Sequence, residues 1–165
     1  MRQSIKVRKQ DDSASVDGAI GATRSANPLE GRPAAGVLRG AMILVVDDDP
    51  RAAELLGELL MIAGATVITA TSVTEAIAIV KQRRPHLIIS DIGMPERDGY
   101  QLMKVIRTLS SKEGGHTPAI ALSGLSRPDV HVRALLAGYQ AHLTKPPQMQ
   151  QLIATIASLL SLPNS

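Results

Sequence analysis

The chain has 165 residues, no cysteine, two tyrosines as its only aromatic residues and a formal charge of +3. That length fits one domain of ordinary size, and the missing thiols exclude disulfides, zinc–thiolate sites and thiol catalysis. The scarcity of aromatics argues against a stacking platform for single-stranded nucleic acid, and no apolar run is long enough to span a membrane.

The charge is unevenly placed. Residues 1–40 hold seven Lys/Arg and four Asp/Glu, whereas residues 41–165 hold eleven of each. The basic excess therefore belongs to the N-terminal segment, and no nucleic-acid partner is expected of the neutral remainder. Residues 1–40 also lack a sustained apolar period and carry the breakers Asn27-Pro28 and Arg32-Pro33, which reads as a flexible or disordered leader or linker. Met1 to Lys9 is charged and lacks the apolar stretch of a secretion signal, so a cytoplasmic location is the expectation.

From Ala41 the pattern changes. Met42 to Val46 is a continuous apolar run ending in Asp47-Asp48-Asp49, the mark of a strand buried on both faces of a parallel sheet. Asp49-Pro50 predicts a helix cap followed by proline at the first helical position. That helix carries Leu55, Leu56, Leu59, Leu60 and Ala63 and stops at Gly64. Ala65 to Ala70 is a second strand. Ser72-Val73-Thr74-Glu75 is a capping box for a helix with Val73, Ala76, Ile77 and Val80 on one face. Leu87 to Ser90 is a third strand that ends at Asp91. A helix with Leu102, Met103, Val105, Ile106 and Leu109 follows. Pro118 to Leu122 is a fourth strand ending at Ser123, and a helix over about Pro128 to Ala137 closes at Gly138. Ala141 to Leu143 is a short fifth strand ending near Lys145. The last helix has Met149, Leu152, Ile153, Ile156 and Leu160 at helical spacing. The folded domain is expected over 41–162, with a tail at 163–165.

Five strands alternating with five helices predict an α/β fold with a parallel sheet and right-handed crossovers. Sites in such sheets form outside the carboxyl ends of the strands. At those ends stand Asp47-Asp48-Asp49, Asp91, Ser123 and Lys145. Adjacent strand ends lie about 5 Å apart, so these groups can share one small cleft. Two like charges about 4 Å apart repel by about 4 kcal/mol at an effective dielectric near 20. The carboxylates therefore call for a counter-ion, and all-oxygen ligands beside a phosphate suit Mg²⁺ better than Zn²⁺. Capping accounts for one of the three consecutive aspartates, Asp49.

The runs Val45-Val46-Asp47-Asp48-Asp49-Pro50, Asp91-Ile92-Gly93-Met94-Pro95 with Asp98-Gly99, Ala121-Leu122-Ser123-Gly124 and Leu143-Thr144-Lys145-Pro146-Pro147 occur in this order, each at a predicted strand end. With them the chain resembles the receiver domain of two-component response regulators, closest in style to the receivers of hybrid histidine kinases. The resemblance covers about Ala41 to Leu160. It implies a flavodoxin-like (βα)5 doubly wound parallel sheet with strand order 2-1-3-4-5. It implies that Asp91 accepts a phosphoryl group from a phosphohistidine on a histidine kinase or histidine phosphotransfer protein. Asp48, Asp91 and the backbone carbonyl of Gly93 would ligate Mg²⁺, with Asp47 bound indirectly through water. Ser123 would hydrogen-bond a phosphoryl oxygen, and Lys145 would pair with the phosphate, or with Asp91 before transfer.

The same resemblance implies a switch: Ser123 is drawn inward, and the face made by the fourth helix, fifth strand and fifth helix changes state to signal to a protein partner. The position that commonly holds an aromatic switch holds His142, and Lys145-Pro146 is a candidate cis bond. Such a protein is no enzyme beyond its own phosphorylation and dephosphorylation, and it would be a monomer or weak dimer. Gly93 and Leu125 add no polar group at the pocket mouth, so rapid self-dephosphorylation is not expected. Two competing classes share features. A haloacid-dehalogenase-like phosphatase would use the Asp47/Asp49 D-x-D spacing but needs glycine and threonine where Pro50 and Arg51 stand. A phosphorylation-silent module of the same fold would not need a complete pocket.

Overall fold

Five apolar segments pair into one parallel sheet in the computed structural model of the chain, which describes residues 35–94 and 98–161. The strands are β1 (Met42–Val46), β2 (Thr66–Ala70), β3 (Leu87–Asp91), β4 (Ala119–Ser123) and β5 (Ala141–Thr144). The helices are α1 (Pro50–Ile62), α2 (Val73–Arg83), α3 (Gly99–Thr108), α4 (Pro128–Ala137) and α5 (Met149–Ser161). The strand order is β2-β1-β3-β4-β5 with every pair parallel, the order that the resemblance implies. Most of the leader, residues 1–34, lies outside the described residues, as do Pro95 and the tail at 163–165.

Strand parity decides which side chain faces which layer. Ile43, Val45, Leu87, Ile89, Ile120 and Leu122 point toward α1 and α5, where they meet Ala53, Leu60, Leu152 and Ile156. Leu44, Val46, Ile88, Ala119 and Ala121 point toward α2, α3 and α4, where they meet Val80, Leu102, Met103, Ile106 and Ala134. The central strands are covered on both sides, which is why their sequences read as unbroken apolar runs. With no Phe or Trp, the layers are filled by Leu, Ile and Val. Truncating one of these, such as Leu44→Ala, costs about 2–5 kcal/mol through lost transfer energy and the cavity left behind.

Helix boundaries follow local chemistry. Asp49 caps α1 by accepting from Arg51 N, with Pro50 in the first turn. Ser72 caps α2 by accepting from Glu75 N. The reciprocal half of that capping box falls one residue earlier than expected, since Glu75 accepts from Thr71 N at 2.9 Å. Asp98 caps α3 by accepting from Gln101 N at 3.0 Å. Gly64 and Gly138 follow α1 and α4 in the left-handed conformation, φ +105° and +115°.

The packed structure begins before Ala41. A turn at 35–40 places Leu38 in the α1/α5 layer at 3% exposure, and its N–H donates to Ala63 O at 2.7 Å. A single leucine among Gly, Ala and Arg has no period to reveal it, and only the contact with the end of α1 gives it a place. A short 3₁₀ turn, Ser111–Glu113, also escapes the sequence pattern.

Candidate functional site

Parallel pairing brings all strand ends with carboxyl direction to one edge. The ladder aligns Val46 with Ser90, Asp91 with Leu122, and Ser123 with Thr144. The next residue along β1 is Asp47, held by Asp47 N donating to Ala70 O, and the next along β5 is Lys145, held by Lys145 N donating to Ser123 O at 2.7 Å. Backbone bonds thus fix the roots of both side chains independently of any side-chain contact. The Lys145–Pro146 peptide bond is cis.

Asp47, Asp48 and Asp91 each offer a carboxylate oxygen, and these oxygens lie within 4.8 Å of one another. Two of the carboxylates are held in the same way. Asp47 Oδ1 accepts from Asp49 N at 3.0 Å, while Oδ2 takes the Lys145 ammonium at 3.1 Å. Asp91 Oδ1 accepts from Gly93 N at 2.9 Å, while Oδ2 lies 3.4 Å from the same ammonium. Each carboxylate has one oxygen anchored to backbone and one turned to Lys145. Asp48 is exposed and makes no such pair among the described residues.

The electrostatics follow. Burial by itself lowers the pKa of Lys145, but the Asp47 and Asp91 carboxylates outweigh it and hold the ammonium above its ordinary value. Asp48 is pushed up, first by desolvation and then by the negative charge of Asp47. Three carboxylates against one ammonium leave two negative charges uncompensated. Clustered hard oxygen donors with that charge balance fit a small divalent cation such as Mg²⁺. Asp49 takes no part: its side chain caps α1, which removes the D-x-D pair that a haloacid-dehalogenase-like site would use.

Ser123, at the end of β4, is 5% exposed. Its Oγ donates to Leu125 O at 2.7 Å and lies 2.8 Å from His142 Nε2. No hydrogen bond joins it to Asp47, Asp91 or Lys145 among the described residues. Gly93 contributes its N–H to Asp91 in this arrangement.

Three further residues support the site, and of these the sequence motifs held only Gly99, beside Asp98. Ser90 is fully buried, with Oγ donating to Asp91 O at 3.1 Å. Tyr139 is buried and donates its hydroxyl to Gly99 O at 2.8 Å, and burial pushes its phenol pKa up strongly. Gly99 itself admits no side chain: a Cβ there would lie 2.8 Å from Asp91 O and from Ile92 Cα. The start of α3 is thereby pressed against the end of β3 and tied to the turn before β5. Tyr139 carried no motif, and only its burial assigns it this role. A separate open cleft of ≈ 870 Å³, lined by Arg39, His86, Arg107, His116 and others, contains none of the strand-end groups.

Residues 43–157 match a family profile described as the response regulator receiver domain. The chain is 40% identical over 114 residues, 69% of its length and 86% of the relative's, to an "uncharacterized 14.6 kDa protein in sodA1 3′region" of Leptolyngbya boryana. It is 34% identical over 118 residues to the transcriptional regulatory protein PrrA of Mycobacterium bovis, covering 72% of this chain but only 49% of that regulator. The chain thus spans about half the length of that relative. Among solved structures it resembles the signal receiver domain of a signal transduction histidine kinase from Syntrophus aciditrophicus. There the TM-score is 0.66 at 35% identity, covering 74% of this chain and 91% of that one.

Proposed function

The chain belongs to the response regulator receiver domain family of two-component signalling, and from that membership we propose that it accepts a phosphoryl group on Asp91 from a phosphohistidine partner. The observation that carries the reading is the Lys145 ammonium set against both Asp47 and Asp91 at one sheet edge. Within it, Asp91 is the nucleophile. An oxygen of its carboxylate bonds to phosphorus as the P–N bond of the donor breaks, and that electron pair stays on the donor imidazole. The Gly93 N–H holds the carboxylate against rotation, and the Lys145 ammonium 3.4 Å from its other oxygen positions it. Phosphoryl transfer asks for such positioning and charge neutralisation more than for covalent help from the protein.

Asp48 and Asp91 would hold Mg²⁺, with the Gly93 carbonyl as a further ligand and Asp47 acting through water. The ion supplies neutralisation of the phosphoryl charge. Ser123 donates its hydroxyl to a phosphoryl oxygen. The partner is a histidine kinase or a histidine phosphotransfer protein, and likeness to the receiver of a signal transduction histidine kinase supports a hybrid-kinase style of relay. The output face is α4-β5-α5, where Val132, Leu135 and Leu136 of α4 stand exposed, Leu136 at 82%. Exposed apolar side chains grouped in this way suit a protein contact. Among the described residues no helix is long and apolar enough to cross a membrane.

The test is incubation with a small phosphodonor and Mg²⁺, followed by intact mass. The wild type gains one phosphoryl group and Asp91→Asn gains none. Gain in both, or in neither, defeats the reading.

A further inference from the structure

The amino ends of the strands carry a second set of polar groups, at the sheet edge opposite to Asp91. The cleft of ≈ 870 Å³ opens there. It takes in Ala41 before β1, His86 before β3, Pro118 before β4 and Gln140 before β5. A strand of five residues spans roughly 17 Å, so the cleft is separate from the carboxylate cluster.

Charge sets this cleft apart. Among the described residues its lining holds Arg39, Arg107, His86 and His116 and no Asp or Glu. Arg107 stands half-buried in the last turn of α3. Its Nε and Nη2 donate to Gly138 O at 3.1 and 2.7 Å, and its Nη1 donates to Gly115 O at 2.8 Å. These carbonyls satisfy its hydrogen bonds, and a helix end such as that of α4 offsets about half a charge. The rest of the guanidinium charge meets no carboxylate among the described residues, and burial pushes its pKa down. A charge drawn out of water without a counter-charge is costly, and a bound anion would remove that cost. Glu113, in the loop that forms one wall, is engaged elsewhere: its carboxylate accepts from Ser110 N at 3.3 Å and from Ser110 Oγ at 2.9 Å.

His86 adds a donor of fixed identity. Its Nδ1 accepts from Met42 N at 2.9 Å, so the hydrogen of the neutral ring sits on Nε2. The wall is also built in advance. Gly115 N donates to Ser110 O at 2.9 Å and Thr117 N donates to Gly114 O at 3.1 Å, and a Cβ at Gly115 would run into Leu109 O. Leu159 and Leu160 of α5 supply an apolar side. A preformed cavity of this volume, part apolar and with a few convergent donors, is the usual form of a small-molecule site. We propose that the cleft binds a small organic anion, one whose phosphate or carboxylate groups carry two or more negative charges. Arg39, Arg107 and His86 attract the charged end, and an apolar or planar body packs toward Leu159 and Leu160. The site needs neither Asp91 nor Mg²⁺.

The test is ¹H–¹⁵N NMR of the full chain without Mg²⁺, titrated with adenosine monophosphate, citrate and adenosine. A phosphate monoester is close to doubly charged at neutral pH. Adenosine monophosphate should move the amide resonances of His86, Gly115, His116, Thr117 and Gln140, and adenosine should not. Arg39 is exposed, so Arg39→Gln should keep the fold, which its own spectrum reports. That variant should bind about three- to tenfold more weakly, the contribution of one charge-assisted bond at a solvated position. Citrate separates the two sources of the anion. Binding of both anions supports a general oxyanion site, of the phosphate ester alone a phosphate site, and of citrate alone a carboxylate site. No shift at these amides with either anion, equal shifts with adenosine, or a folded Arg39→Gln variant that binds as tightly as wild type overturns the proposal.

Discussion

Lys145 is bound more closely to Asp47, 98 positions away in sequence, than to Asp91: its Nζ stands 3.1 Å from the first carboxylate and 3.4 Å from the second. One ammonium therefore serves two carboxylates, and it does so from the position a divalent cation would also stabilise. Lys145→Gln should move two quantities in opposite directions. Mg²⁺ binding should tighten by roughly three- to tenfold, because a repelling charge near the site is gone and solvent screening limits the gain. Phosphoryl acceptance should fall, because Asp91 loses its partner. Isothermal titration with Mg²⁺ and a phosphodonor time course check the two arms. Weaker Mg²⁺ binding in the variant would contradict the shared-charge account.

Tyr139 is the clearest support outside the charged cluster. Tyr139→Phe removes the donor to Gly99 O and leaves a buried carbonyl without its partner, which costs about 1–3 kcal/mol. Urea denaturation should show a lower midpoint with an unchanged slope. An unchanged midpoint would mean that the hydroxyl contributes nothing to holding the start of α3.

Gly99→Ala is expected to disturb the site directly. The new methyl group would meet backbone atoms of Asp91 and Ile92 at 2.8 Å, and neither is the end of a flexible side chain, so the end of β3 must shift. Phosphoryl acceptance should drop at least tenfold even in the folded fraction, since small misplacements near a reacting group are costly. A folded variant phosphorylated at the wild-type rate would show that the contact does not set the position of Asp91.

How much of this was legible without coordinates depends on whether a residue's partner is near in sequence. The Met42–Val46 run, the Asp49-Pro50 cap and the Ser72–Glu75 cap are local signals, and the structure agrees with them to within a residue. The strand ends named the charged groups, because a parallel sheet sends all of its carboxyl ends to one edge. The Asp47–Lys145 pair, the Ser123–His142 bond and the Tyr139–Gly99 bond were not legible. Each depends on a distance between chain positions that no spacing rule gives. Leu38 was hidden for the same reason, since its place is set by Ala63 at the end of α1, 25 positions on, and by the apolar layer it joins.

The depressed His142 pKa carries a pH prediction. Its pKa lies below the unfolded value of about 6.5, lowered by burial first and by His131 second. Below that pH the unfolded chain binds the proton more readily than the folded one. The folded state therefore loses stability as pH falls through this window, and regains it as pH rises. Among the described residues, His131 and the Ser123 hydroxyl face the ring. Denaturation curves between pH 5 and pH 7.5, read as roughly the span on either side of that unfolded value, should show a shallower acid-side loss in His142→Gln than in wild type. Parallel curves would remove His142 from the account.

The most direct measurement is the position of the phosphoryl group itself. After incubation with a phosphodonor and Mg²⁺, borohydride reduces an acyl phosphate of aspartate to homoserine, and peptide mass spectrometry locates the converted residue. Conversion at Asp91, with Asp47 and Asp48 intact, is the predicted result. Homoserine at Asp47 or Asp48, or phosphate found on a hydroxyl or imidazole that borohydride leaves untouched, would contradict it.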